Sequence, residues 1–126
     1  MSKTALLIED NEQNRYLLTF LLEHHGYRVV SAEDGAGGIV LASELKPDLI
    51  LLDIRLPRMD GYAVAGALRS IEALRGVPIV AVTSYALTGD REKALGAGCS
   101  GYIEKPIDPT TFAEQISKFA TLADSA

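Results

Sequence analysis

The sequence predicts an α/β protein in which five β-strands and five α-helices alternate along the chain, a (βα)5 doubly wound sandwich. Five short apolar runs recur between longer segments with helical spacing. Several runs are continuously apolar, which is typical of strands that are buried on both faces of a parallel sheet. Alternation of this kind predicts right-handed crossovers and a five-stranded parallel sheet with helices on both sides.

The apolar runs predict where the strands lie. They cover residues 5–8, 28–30, 49–52, 77–82 and 101–103. Each run is far shorter than the roughly 20 apolar residues that a helix needs to cross a bilayer, so we expect no membrane span.

The first helix is predicted from a cap, an apolar stripe and a stop signal. Asn11 is a suitable N-cap, and Gly26 is a typical helix end. Between them, four residues fall on one helical stripe: Leu17, Leu18, Leu21 and Leu22.

Three further helices are predicted from shorter patterns. The apolar positions of the second are Ile39, Ala42 and Leu45, and those of the third are Tyr62, Ala65, Leu68 and Ile71. Two glycines at positions 37 and 38 weaken the second helix by about 1 kcal/mol each relative to alanine. A short fourth helix is expected to begin at residue 88 or 89 and to end near residue 96.

The fifth helix has the clearest start in the chain. Asp108 is a suitable N-cap, and Pro109 fits the first helical position, where no backbone N–H is needed. One face of the segment that follows is apolar and carries Phe112, Ile116 and Phe119.

Composition limits the function classes. A chain of 126 residues is near the commonest domain size, so we expect one domain over residues 1–126 with a core of about 3–122. The net charge of −5 and the absence of a Lys/Arg run argue against direct DNA binding. A single cysteine excludes an internal disulfide, and no signal peptide is recognisable, so we expect a cytoplasmic protein.

Polar side chains follow four of the predicted strands. These residues are Glu9 and Asp10, Asp53, Thr83 and Ser84, and Glu104, Lys105 and Pro106. The carboxyl ends of parallel strands share one edge of a sheet, so we expect these groups to lie close together. Crowded carboxylates repel each other unless positive charge is supplied. Lys105 supplies one unit, and an all-oxygen site suits Mg²⁺, with Mn²⁺ as an alternative, better than Zn²⁺.

Each of these residues also has an ordinary structural interpretation. An aspartate after a strand is commonly a turn residue or a helix cap. A Glu-Asp pair before a helix complements the helix dipole. The joint placement of acidic, hydroxyl and ammonium groups on four strands is what favours a functional site.

Five segments carry a resemblance to a known family. They are LIEDN at 7–11, PDLILLD at 47–53, LPRMDG at 56–61, PIVAVT at 78–83 and GYIEKP at 101–106. With these segments in this order, the chain resembles the CheY-like receiver domains of two-component response regulators. The likeness extends both to stand-alone receivers and to those of hybrid histidine kinases. It implies the strand order 2-1-3-4-5.

The resemblance also implies a role for each site residue. Asp53 is the implied phosphoacceptor, receiving a phosphoryl group from a sensor histidine kinase or a histidine phosphotransfer protein. The implied metal ligands are Glu9, Asp10, Asp53 and the backbone carbonyl of Arg55. Lys105 and Thr83 would contact phosphoryl oxygens. Such a chain is a phosphoacceptor signalling protein that promotes its own phosphorylation and dephosphorylation, and is not a dedicated enzyme.

Further positions follow from the same resemblance. Thr83 and Tyr102 would form a conformational switch that is read by a downstream protein at the face of the fourth helix, fifth strand and fifth helix. The residues that would modulate the lifetime of the phosphoryl group are Arg55, Ser84 and Tyr85. Those with structural roles would be Pro57, Gly61 and Pro106.

Two alternatives stay open at the level of sequence. Phosphohydrolases of the haloacid dehalogenase type also form a phosphoaspartate at a strand end, but they typically carry a second acid two residues later, where this chain has Arg55. A pseudo-receiver would keep the fold as an interaction module without phosphorylation.

Overall fold

The computed structural model contains the predicted alternation of strands and helices. It describes residues 3–56, 59–83, 89–105 and 107–125, with side chains up to residue 118. The strands are Lys3–Ile8 (β1), Tyr27–Ala32 (β2), Leu49–Asp53 (β3), Ile79–Thr83 (β4) and Gly101–Glu104 (β5). The helices are Glu12–His24 (α1), Gly35–Leu45 (α2), Gly61–Arg69 (α3), Asp90–Gly96 (α4) and Pro109–Ser125 (α5). A short 3₁₀ helix, Glu72–Leu74, follows α3.

The strands form one parallel sheet in the order β2-β1-β3-β4-β5, which confirms the predicted fold class and strand order. The central strand β3 is buried along its whole length. Ile8 lies beside Leu52, and Asp53 lies beside Val82. The carboxyl ends of β1, β3 and β4 are therefore nearly level, at the point where the strand order reverses and ligand sites are common in such sheets.

Two apolar layers cover the sheet. One layer joins alternate sheet residues to Leu18 and Leu22 of α1 and Phe112 of α5. The other joins the intervening sheet residues to α2, α3 and α4, and includes the fully buried Leu68. This arrangement explains the continuously apolar strands, because each strand needs apolar side chains on both faces.

Helix caps were predicted correctly where the sequence marks them. The Asn11 side chain accepts a hydrogen bond from the Asn14 N–H at 2.9 Å at the start of α1. Asp108 does the same for the Thr110 N–H at 2.9 Å before α5. Helix α1 ends at His24, and Gly26 follows with φ of 88°.

Some predicted element boundaries were wrong. The fourth strand begins at Ile79, not at residue 77. Helix α3 ends at Arg69, so Ile71 lies outside it, because the chain turns there to bring three backbone carbonyls to the Arg69 guanidinium. Leu17 is 37% exposed, whereas the other three leucines of the predicted stripe, Leu18, Leu21 and Leu22, are buried. The Phe119 side chain lies outside the described part of the chain.

The outer face of α1 is apolar in part. Tyr16 is 78% exposed and Phe20 is 60% exposed, and Phe20 stacks on His24 with ring centroids 6.3 Å apart. Within the described residues, no helix combines the length and the apolar character needed to span a bilayer.

Candidate functional site

Three carboxylates meet at the carboxyl edge of the sheet, as the sequence predicts. Glu9 and Asp10 follow β1, and Asp53 is the last residue of β3. One oxygen from each of the three lies within 4.8 Å of the others. Glu9 and Asp53 are 1% and 6% exposed, whereas Asp10 is on the surface. The cluster therefore has a buried side and a side that is open to solvent.

Lys105 lies beside this acidic cluster. Its Nζ is 2.5 Å from Glu9 Oε1 and 3.5 Å from Asp53 Oδ2. The lysine follows the edge strand β5, and its N–H donates to the Thr83 carbonyl at 2.7 Å, which ties its backbone to the end of β4. The ammonium group thus offsets one of three negative charges.

The burial of Glu9 and the negative charge beside it change its pKa. Burial, together with the neighbouring Asp53 carboxylate, raises the pKa of Glu9 to about 7, although Lys105 acts in the opposite direction. A buried carboxylate next to another carboxylate tends to keep its proton. Without a bound cation, the cluster therefore holds more negative charge than the fold stabilises easily.

The loop after β3 orients Asp53. The Arg55 N–H donates to Asp53 Oδ1 at 2.8 Å. Gly61 begins α3 directly against this loop, and its N–H donates to the Ile54 carbonyl at 3.2 Å. A Cβ at position 61 would lie 2.4 Å from the Ile54 Cα, a distance at which two carbon atoms overlap. The absence of a side chain at Gly61 allows α3 to approach the loop that carries Asp53.

Thr83 and Tyr102 lie on adjacent strands near this edge. Thr83 is 1% exposed at the end of β4. Among the described residues, the Tyr102 hydroxyl is buried without a hydrogen-bond partner. Burial raises the pKa of Tyr102, and the Asp90 carboxylate raises it further. Tyr102 therefore points inward, towards the start of α4.

A polar contact joins the loop after β3 to the start of α4. The Tyr62 hydroxyl donates to Asp90 Oδ1 at 3.0 Å, and Arg55 Nη2 is 3.7 Å from Asp90 Oδ2. Asp90 is 8% exposed. Burial, together with the hydrogen bond to Asp90, raises the pKa of Tyr62 to about 12. The Arg55 side chain is thus directed towards α4, while its N–H contacts Asp53.

Sequence reasoning did not single out Asp90, Tyr62 or Arg15 as polar contributors. The sequence indicates only that Asp90 lies near a predicted helix start and that Tyr62 belongs to an apolar stripe. Their contact joins residues 28 positions apart, and no local pattern marks it. Four predicted residues, Ser84, Tyr85, Pro57 and Pro106, lie outside the described residues.

The model of the response regulator receiver domain family matches residues 5–117, most of the chain. This chain belongs to that family. Receiver domains are phosphoacceptor signalling modules of two-component systems, and they interact with histidine kinases or phosphotransfer proteins. The family assignment confirms the resemblance seen in the sequence.

Known relatives of this receiver include stand-alone and kinase-linked proteins. It is 41% identical to the polar-differentiation response regulator DivK of Brucella ovis, over 94% of this chain and 97% of the relative. It is 36% identical to the receiver domain of a sensor histidine kinase from Pseudomonas aeruginosa, which has a magnesium ion coordinated in its active-site cleft. That match has a TM-score of 0.87 and covers 96% of this chain and 99% of the other.

A third relative shares the fold at lower identity. A CheY-like receiver domain protein from Methanospirillum hungatei is 26% identical, with a TM-score of 0.92 over 99% of this receiver and 98% of the other chain. The doubly wound sheet is thus the family fold.

Proposed function

We propose that this receiver domain, as a single domain, accepts a phosphoryl group on Asp53 in a Mg²⁺-dependent reaction and signals by a conformational switch. The donor would be a phosphohistidine on a sensor histidine kinase or a histidine phosphotransfer protein. The observation that carries the proposal is the cluster of three carboxylates beside Lys105. A cytoplasmic location is part of the same proposal.

The donor set fits magnesium. Hard carboxylate oxygens are the ligands that Mg²⁺ prefers, and Glu9, Asp10 and Asp53 offer three of them. The Arg55 backbone carbonyl is the further ligand that the family resemblance implies. When bound, the ion would neutralise charge on the phosphoryl oxygens. The raised pKa of Glu9 is consistent with a site that holds a cation in its working state.

The chain's own residues would position the reaction. An Asp53 carboxylate oxygen would form a bond to phosphorus as the N–P bond of the phosphohistidine breaks, and the imidazole nitrogen would take the bonding electrons. The Arg55 N–H holds the Asp53 carboxylate in place at 2.8 Å. Lys105 and Thr83 would donate hydrogen bonds to the equatorial oxygens, where charge is spread during transfer.

Output would pass to the face formed by α4, β5 and α5. A groove of about 310 Å³ lies on this face, with Arg91, Tyr102, Ile107 and Thr111 among its lining residues. A phosphoryl group that draws Thr83 towards itself would change the space beside Tyr102, whose hydroxyl is buried. This is a local charge event that biases a two-state packing arrangement. A downstream protein would bind at this face.

Phosphorylation of the intact chain by acetyl phosphate with Mg²⁺, followed by mass spectrometry, tests the proposal. We expect a gain of one phosphoryl group that EDTA prevents and that Asp53→Asn abolishes. Asp48→Asn is the matched control, since Asp48 lies at the other end of β3, is exposed and accepts the Thr4 N–H at 2.7 Å. It should be phosphorylated like the wild type.

This experiment, together with an assay of phosphomonoester hydrolysis, separates the two alternative functions. A chain that stays unmodified with Mg²⁺, or that gains phosphate equally in Asp53→Asn, would support the pseudo-receiver. Rapid turnover of a small phosphomonoester would support the phosphohydrolase, which the family assignment already disfavours.

The residues that flank the site belong to the proposal as modulators. Arg55 and Tyr85 are bulky and would slow the access of water to the phosphoryl group, whereas Ser84 is small enough to leave that group reachable. Gly61 has its structural role at the contact with Ile54, and Pro57 and Pro106 are assigned theirs by the family resemblance.

A further inference from the structure

Arg15 contacts the segment that carries two of the three carboxylates. It lies in the first turns of α1, and its side chain is 18% exposed. Its Nη1 donates to the backbone carbonyl oxygens of Glu9 and Asp10, both at 2.9 Å. The guanidinium therefore bridges two consecutive peptide groups directly behind the acidic pair.

These contacts orient side chains through the backbone. The Glu9 N–H donates to the Ala32 carbonyl at 3.0 Å, so both the N–H and the C=O of Glu9 are held. A carbonyl group that is held in place restrains the ψ angle of its residue. Together, φ and ψ determine the direction in which the side chain leaves the backbone. Arg15 thereby restricts where the carboxylates of Glu9 and Asp10 can point.

The contact differs in kind from that of Lys105. Lys105 binds carboxylate oxygens, which a metal ion would also bind, whereas Arg15 binds carbonyls and leaves the carboxylates available. A guanidinium stays charged at any ordinary pH, and its several N–H groups can serve two acceptors at once. Its third partner, Glu33, is 3.4 Å away and 79% exposed, so that pair contributes little.

We infer that Arg15 is a positioning residue for the divalent-cation site, acting by holding the Glu9 and Asp10 backbone in the geometry that presents both carboxylates. The inference rests on the proposed function, since it assumes that the acidic cluster binds Mg²⁺. The inference also predicts the direction in which Mg²⁺ affinity changes when Arg15 is removed. As a positive charge near the site, Arg15 would repel a cation, so removing it would tighten binding if charge alone mattered. As a positioning residue, its removal weakens binding.

The test measures Mg²⁺ affinity by following backbone amide chemical shifts during titration of the full chain. Outer partners of metal ligands typically contribute 10- to 100-fold in affinity, so we expect Arg15→Gln to raise the Mg²⁺ Kd about tenfold. Arg15→Lys keeps a donor for the carbonyls and should recover part of the loss. Glu33→Gln should leave the Kd unchanged.

Arg69 provides a matched control for general loss of stability. It too is an arginine that donates to backbone carbonyls, namely those of Leu74, Arg75, Val77 and Gly98. Those residues precede β4 and β5, so Arg69 acts at the opposite edge of the sheet. We expect Arg69→Gln to lower the unfolding temperature without changing the Mg²⁺ Kd.

The outcomes distinguish this inference from the proposed function. A wild type that does not bind Mg²⁺ would overturn both. A wild type that binds Mg²⁺ and is phosphorylated on Asp53, with Arg15→Gln binding equally well or more tightly, would overturn the inference alone. If Arg15→Gln and Arg69→Gln weakened Mg²⁺ binding equally, the inference would also be overturned. The loss of affinity would then come from lower stability and not from the orientation of the acidic pair.

Discussion

At the scale of single residues, the acidic cluster combines groups that oppose folding with a geometry that favours cation binding. Glu9 and Asp53 are buried side by side, with one lysine between them and Asp10 at the surface. Like charges at such distances raise the free energy of the folded state. Sites that serve chemistry often retain strain of this kind, because the charges are needed when the ligand binds.

A stability measurement tests this view of the cluster. In EDTA, we expect Asp53→Asn to raise the free energy of unfolding by about 1 kcal/mol, because one of three like charges is removed. With saturating Mg²⁺ the order should reverse, since ligand binding stabilises the wild-type fold in proportion to its affinity. Denaturant unfolding with and without Mg²⁺ provides the measurement.

Asp48→Asn is again the control for this experiment. At an exposed site, and with an amide oxygen that can still accept the Thr4 N–H, it should change the free energy of unfolding by less than about 0.5 kcal/mol in either condition. A metal-free Asp53→Asn protein that is less stable than the wild type would show that the Lys105 contact outweighs the repulsion.

At the scale of elements, helix α3 packs against the loop that carries Asp53 and so determines where that loop lies. Its first residue contacts Ile54, and its second residue contacts Asp90 of α4 through the Tyr62 hydroxyl. The loop is thus held between β3 and α3, with α4 attached to the same unit. Displacement of α3 would alter the site without any change in the acidic residues.

Two glycine substitutions in α3 separate close packing from helix propensity. Gly61→Ala places a Cβ against the Ile54 backbone, which cannot move aside as a flexible side chain would. Overpacking of this kind costs about 1–3 kcal/mol. In Gly66→Ala the new Cβ meets no atom within 4 Å, and the helix gains stability of about 1 kcal/mol.

Thermal and denaturant unfolding of the two variants gives the comparison. Gly61→Ala should also slow phosphorylation by acetyl phosphate, because the shift reaches the loop of Asp53, while Gly66→Ala should not. Equal stability of the two variants would contradict the role given to Gly61.

At the scale of the whole molecule, the buried Cys99 thiol and the part-buried Tyr62 hydroxyl contribute to the response of stability to alkaline pH. Burial raises the pKa of the Cys99 thiol from 9 to about 11, and burial together with Asp90 raises that of Tyr62 to about 12. The unfolded chain releases these protons at lower pH than the folded chain. Between about pH 9 and 12 the unfolded state therefore binds fewer protons, so the free energy of unfolding falls as pH rises.

Chemical denaturation at a series of pH values tests this expectation. Cys99→Ala and Tyr62→Phe should each flatten the alkaline decline, and below about pH 9 the slope should match the wild type. Tyr16→Phe, at an exposed tyrosine, is the control and should keep the wild-type slope. A double variant with an unchanged decline would show that other groups control it.

Much of the site could be predicted because its residues are tied to strand ends. Once residues 49–52 are recognised as a buried strand, Asp53 must lie at its carboxyl end, and parallel pairing brings Glu9 and Asp10 to the same edge. Long-range polar contacts could not be predicted in this way. The Tyr62 hydroxyl donates to Asp90, and Arg69 donates to backbone carbonyls from Leu74 onwards, because of how the helices pack.

The alternation of apolar runs and helical stripes thus determined the fold class and the sheet edge at which the acidic residues gather, while the resemblance to receiver domains implied the strand order. Local patterns can do this because strand and helix periods are properties of adjacent residues. Only the tertiary structure decided which groups touch: Lys105 against Glu9, Arg15 behind the acidic pair, and the glycine that lets α3 approach Ile54. Those contacts depend on distances between separate elements, which are set by the packing of side chains across the whole core.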